Sequence, residues 1–173
     1  MRARDTLRRN LILAVGIAVA VAVGILLLGR QGVLAQVDGQ SRIQIGYAIS
    51  PVPLNVEGKN PALVGLGSYI VNALSGCNEC HVGSQNDNQG LYLAGGAFFG
   101  AVGPTPNLTP DDSGLPNGLT LLQFSDIMRN GVDPDGNPIS PIMPWEVYRN
   151  MTDRDLKAIY EFLLSIPTQP GPR

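Results

Sequence analysis

Cys77-Asn78-Glu79-Cys80-His81 is the stretch on which the reading of this chain turns. Two thiols separated by two residues, followed at once by an imidazole, form a C-x-x-C-H pattern. It spaces two sulfurs to add across the two vinyl groups of one haem and places a nitrogen ligand beside the iron. Cys77 and Cys80 are the only cysteines and His81 is the only histidine, so the chain commits all its thiolate and imidazole donors to five positions. A structural zinc site needs four strong ligands, and no further Cys or His exists to complete one. A redox dithiol of the thioredoxin kind needs a βαβ context, which the Gly- and Pro-rich sequence downstream does not offer. The expected cofactor is therefore one covalently attached haem c, held by Cys77 and Cys80, with His81 as proximal iron ligand.

The N-terminal sequence speaks to location. Arg2, Arg4, Arg8 and Arg9 precede Leu11–Gly29, nineteen residues without a charge. That length suits a membrane-crossing helix better than the about 7 to 15 apolar residues of a signal peptide. Val33-Leu34-Ala35 before Gln36 nevertheless offers a cleavage site, so residues 1–30 are read as an anchor or a signal segment. The arginine bias keeps the N-terminus in the cytoplasm. The remainder is expected on the periplasmic side of a bacterial inner membrane, or free in the periplasm if the segment is cleaved.

Five of the 12 Lys and Arg residues lie at or before residue 30, but only Asp5 of the 14 acids does; the rest of the chain carries 7 basic against 13 acidic residues, a net charge of −6. An acidic domain argues against a nucleic-acid partner and suits a docking partner with a basic face. Residues 31–60, with Gly39, Gly46, Pro51, Pro53 and Gly58 and little helical periodicity, read as an extended linker. Residues 61–173 read as one domain.

Within that domain Asn60-Pro61 is a helix start, and Leu63, Leu66, Ile70 and Leu74 share one face of a helix ending near Gly76, with Gly67 beside them. Residues 82–118 are loop-like and rich in glycine, a run whose length suggests that it wraps a cofactor. Thr120 with Gln123 forms a capping box for a helix over about Leu121 to Arg129, stopped by Gly131. Thr152 with Asp155 opens a last helix whose apolar face is Leu156, Ile159, Tyr160 and Leu163. No strand pattern of similar strength occurs, and an all-α fold is expected.

The second iron ligand has to be something other than histidine. Methionine sulfur is a soft neutral donor that favours Fe(II). Met1 belongs to the targeting segment, Met128 lies on a helix side with Phe124 and Ile127, and Met151 precedes a helix cap. Met143, between Pro141 and Pro144, is claimed by no helical face and is the favoured ligand, with Met151 next.

These residues together resemble the class I cytochrome c family over approximately Ala62 to Pro167. Within it the chain is similar to the single-haem domains of bacterial cytochromes associated with membrane dehydrogenases, through Asn107-Leu108-Thr109-Pro110-Asp111 and Met143-Pro144-Trp145. The resemblance implies a cytochrome c-like helical domain around one haem, with its first and last helices crossing near Gly67 and Tyr160. It also implies that the Pro106 carbonyl accepts a hydrogen bond from His81 Nδ1, across a loop longer than in small soluble members. The expected function is electron transfer, without catalysis of its own. Its partners would be a respiratory dehydrogenase, a quinol-oxidising complex or a terminal oxidase, with the membrane reached through the N-terminal helix. The alternative is a peroxidase-like haem enzyme or gas sensor with an open distal position. That chemistry usually calls for a distal acid-base group, and the only histidine is already the proximal ligand.

Overall fold

The computed structural model describes residues 15–25, 38–83, 90–100, 103–112, 116 and 118–170. The chain divides into two compact units, residues 1–40 and 41–173. In the first unit, residues 15–25 and 38–40 are helical. Among the described residues no helix is long and apolar enough to cross a membrane. Both ends of the apolar run Leu11–Gly29, and the stretch Val33–Gln36, lie outside the described residues.

The second unit is built of helices and loops, and its only bridges between extended segments, among the described residues, are the isolated pairs Phe98 with Pro104 and Val132 with Pro138. Its first helix, α1 (residues 41–49), falls where an extended linker was expected. The reason is tertiary. Ile43 and Gly46 form a narrow inward face, and a Cβ on Gly46 would collide with the carbonyl of Gly65, as one on Gly65 would with Ile43 and Tyr47. Two glycines thus let α1 lie directly on the next helix. Ser68 Oγ donates to the Gly46 carbonyl at 2.6 Å and Tyr47 OH to that of Pro61 at 2.8 Å.

Helix α2 (Pro61–Tyr69) begins as its sequence dictates. The Asn60 side chain accepts from the backbone N–H groups of Ala62 and Leu63, and Pro61, which has no N–H to satisfy, takes the first position. The winding then widens to a π turn over Ile70–Leu74, closed by Ser75 N–H donating to the Ile70 carbonyl at 2.9 Å. This extra residue per turn rotates the face: Val71 is buried, whereas Leu74, expected inside, is 64% exposed. Gly76 in the left-handed region (φ 60°) ends the run and starts α3 (Cys77–His81).

Helix α4 (Leu121–Asn130) opens on the reciprocal Thr120–Gln123 box and stops at Gly131, again left-handed (φ 65°). A single turn, α5 (Trp145–Tyr148), precedes α6 (Asp153–Leu163), which has the same kind of box from Thr152 and Asp155. Leu156, Ala158, Ile159, Phe162 and Leu163 of α6 are all buried, against Leu66, Ile70 and Val71 and against Phe124 and Met128 of α4. Burying each large apolar side chain contributes about 1.5–3 kcal/mol before chain entropy is charged. Helices α2 and α6 meet at Gly67, where a side chain would strike the Ala158 carbonyl and Phe162. Tyr160, between those two, instead stacks at a tilt on Phe124 (ring centroids 5.7 Å apart) and donates to the Leu119 carbonyl at 2.7 Å.

Candidate cofactor site

Helix α3 is too short to persist by itself, and its sequence-distant partners explain why it holds. Its last carbonyls lack intrahelical donors, and the glycine-rich loop supplies them. Gly95 N–H donates to the His81 carbonyl at 2.7 Å, and Thr105 Oγ1 donates to that of Cys80 at 2.9 Å. The side chain of Asn78 accepts from Leu93 N–H at 2.8 Å. Leu93 is fully buried and has a left-handed backbone (φ 56°), a conformation a branched side chain adopts only when its surroundings enforce it.

Cys77 and Cys80 stand three positions apart on this one turn, both as free thiols and both half-buried. Burial pushes the Cys77 thiol up to about 11, so it is protonated at neutral pH. His81 is buried, and its Nδ1–H donates to the Pro106 carbonyl at 2.8 Å. Burial holds the imidazole below its ordinary pKa, against the opposing pull of the Pro106 bond. The ring is therefore neutral at pH 7, with the proton on Nδ1 and the Nε2 lone pair available for a metal.

Pro106 can approach His81 because Gly95 lies beside it: with φ +71°, Gly95 has no Cβ to meet the Pro106 carbonyl carbon, and one would sit 2.6 Å from Asn107 N. The next residues are fixed from the other side. Asn107 and Thr109 are buried polar residues, and Asn107 Oδ1 accepts from both the N–H and the hydroxyl of Thr109 at 2.8 Å. Asn107 Nδ2 donates to the Gln169 carbonyl at 3.0 Å, and Gln169 N–H donates to Thr109 Oγ1 at 3.0 Å. The C-terminal tail thus braces the loop that orients the imidazole.

Met143 lies outside the long helices, half-buried against the core. Its N–H donates to the Ser140 carbonyl at 3.0 Å, and Trp145 N–H donates to the Met143 carbonyl at 2.8 Å. Trp145 packs on the bare backbone of Gly131, which has no room for a side chain. Met128 belongs to the buried core of α4, and Met151 is half-buried with its carbonyl accepting from Arg129 at 3.1 Å.

Cys77, Cys80, His81 and Pro106 are thus joined through α3 and its loop, and Met143 is part of a separate segment that reaches this unit through Tyr148, whose hydroxyl donates to the Ser75 carbonyl at 2.8 Å. The contributions of Asn78, Leu93, Gly95 and Thr105 have no local sequence signal beyond the glycine content of the loop. The donor set suits haem c: two reduced thiols on one turn and a neutral imidazole with one free nitrogen. Among the described residues no three His, Cys, Asp or Glu side chains gather as a metal cluster of another kind.

No family profile matches the chain. Individual proteins do. The fructose dehydrogenase cytochrome subunit of Gluconobacter japonicus is 34% identical over 102 residues, 57% of this chain and 20% of that protein. The cytochrome c subunit of the quinone alcohol dehydrogenase of Gluconobacter oxydans is 30% identical over 118 residues, 68% of this chain and 24% of that protein. The photosystem II extrinsic protein V of Nostoc punctiforme is 30% identical over 152 residues, 78% of this chain and 82% of that protein. The chain matches only a fifth to a quarter of the length of the two dehydrogenase subunits.

Proposed function

Because the chain belongs to the cytochrome c family, we propose that it is an electron-transfer protein carrying a single haem c, with His81 and Met143 as the residues that would bind its iron. The observation that carries this reading is the hydrogen bond from His81 Nδ1 to Pro106, 2.8 Å long, next to two free thiols on the same turn. Cys77 and Cys80 would each form a thioether bond, His81 would give Nε2 to the iron, and Met143 would give its thioether sulfur. When bound, the group supplies an iron that alternates between Fe(III) and Fe(II). The protein's own part would be to hold His81 and Met143 in place as ligands, so that oxygen or peroxide would find no open position on the iron. It also keeps His81 neutral and in one orientation through Pro106, and surrounds the site with an apolar core that sets the local dielectric.

Relatives that are cytochrome subunits of dehydrogenases favour a dehydrogenase as electron donor, with this chain as its fixed or transient acceptor. A quinol-oxidising complex as donor and a terminal oxidase as acceptor fit the same chemistry. The arginine-flanked apolar run would place the haem domain on the periplasmic side, tethered to the membrane if that run is retained.

Two experiments test this. The full chain, made with haem-maturation machinery, should show the weak long-wavelength sulfur-to-iron band when oxidised and should bind no carbon monoxide when reduced. Free carbon monoxide binding with no such band would favour an enzyme or sensor. A reporter fused after Arg173 should be active only outside the cytoplasm, and activity inside would refute the topology.

A further inference from the structure

Tyr148 is five residues beyond Met143, and Ser75 is two residues before Cys77. The hydrogen bond between them therefore spans from one candidate ligand segment to the other across 73 positions of sequence. Its setting makes it more than a surface contact. Helix α5 has only four residues and no side-chain cap, so its conformation depends on what it is fastened to.

On one side the fastening is to α4. Trp145 rests on Gly131, and the Arg129 guanidinium donates to the carbonyls of Arg149 (2.9 Å) and Met151 (3.1 Å) and pairs with Asp153 at 2.6 Å. On the side of α3, Tyr148 provides the bond, and it lands on a carbonyl at the end of the π turn, where regular helical winding has stopped. Burial raises the Tyr148 phenol above its ordinary pKa, in keeping with a hydroxyl that stays protonated and donating.

We propose that Tyr148 is a positioning residue that holds the Met143 segment against the attachment segment, so that its hydrogen bond to Ser75 governs how readily the methionine is displaced from the iron. This rests on the His81/Met143 ligation proposed above. Tyr148 itself does not touch the iron in this scheme. It limits how far the Met143 segment can swing away, and so raises the free energy of the state in which another ligand takes the methionine's place.

The test uses the full-length oxidised holoprotein titrated with imidazole, which competes with methionine for ferric iron, with loss of the sulfur-to-iron band as the signal. Tyr148→Phe removes one hydrogen bond and leaves the ring. The ordinary net worth of such a bond corresponds to imidazole binding about three- to tenfold more tightly than to the wild type. Tyr160→Phe is the matched control. It loses a phenol-to-carbonyl bond of the same kind, at 2.7 Å to Leu119, outside the Met143 segment. Its unfolding midpoint should fall while its imidazole affinity stays at the wild-type value.

Equal imidazole affinity in Tyr148→Phe and wild type would overturn the inference. So would an equal shift in both variants, since the effect would then be general loosening. A wild type that retains covalent haem but lacks the sulfur-to-iron band would overturn the ligation by Met143 and this inference with it. Reading that band on the wild type first tells the two failures apart.

Discussion

Gly67→Ala probes the packing on which the fold depends. A Cβ at position 67 would sit 2.6 Å from the carbonyl carbon of Ala158 and 2.7 Å from Phe162 Cβ, and closer still to the Ala158 carbonyl oxygen, whereas ordinary van der Waals contact begins at 3.4 Å. Two of these atoms are helix backbone and the third is directly attached to it, so no side-chain rotation relieves the clash. Helices α2 and α6 have to separate by more than an ångström, which loosens contacts along the buried row of Leu156, Ile159 and Phe162. Overpacking of this kind costs about 1–3 kcal/mol. Alanine returns about 0.5–1 kcal/mol through its better helix propensity, and because the clash is with backbone the overpacking cost lies at the upper end of its range, which leaves a net loss of about 2 kcal/mol. Gly118→Ala is the control, because that glycine has open space around it and no left-handed backbone. It should stay within about 0.5 kcal/mol of wild type. Denaturant unfolding followed by far-UV circular dichroism measures both. Gly67→Ala at or above wild-type stability would refute the close α2–α6 crossing.

Further outcomes follow from the same contacts. Met128→Ala should lose about 2–5 kcal/mol in the same unfolding assay, because its side chain is buried in the core, yet keep the sulfur-to-iron band; Met143→Ala should lose the band and lower the reduction potential in a redox titration. Gly95→Ala should weaken the His81–Pro106 contact and unfold at lower denaturant, since both its left-handed backbone and the nearby Pro106 and Asn107 backbone reject a side chain. The alkaline limb of stability should depend on Tyr92, half-buried with its hydroxyl donating to Asn72 Oδ1 at 2.6 Å. Burial raises its folded pKa above the unfolded value near 10, so the unfolded chain releases this proton first, and the stabilisation present below pH 10 is lost as pH rises beyond it. Tyr92→Phe should flatten that limb in unfolding measured from pH 8 to 11 while costing about 1 kcal/mol at neutral pH.

What could be read in the sequence was what is decided locally. The two capping boxes, Thr120 with Gln123 and Thr152 with Asp155, involve side chains three residues from their targets, and both form. Asn60-Pro61 likewise starts a helix. The close approach of the first and last long helices at Gly67 agrees with the family resemblance, although Ala158 and Phe162, and not Tyr160, make the contact. Helix α1 was hidden because Gly46 is a poor helix former whose value appears only against Gly65, a partner its own sequence window does not contain. Leu74 was misplaced because a period of 3.6 residues does not foresee a π turn. At the candidate site, the C-x-x-C-H motif is legible as a spacing, whereas the backbone donors from Gly95 and Thr105 and the reach of Tyr148 to Ser75 depend on long-range topology.

The central claim is that Cys77 and Cys80 bind one haem covalently, and the intact mass of the denatured protein tests it most directly. Protein made with haem-maturation machinery and stripped of non-covalent ligands in acid-acetone should have the mass of the chain plus one haem, and Cys77→Ser with Cys80→Ser should have the mass of the substituted chain alone. A wild-type mass equal to that of the bare chain, with the haem recovered in the acid-acetone, would contradict the account.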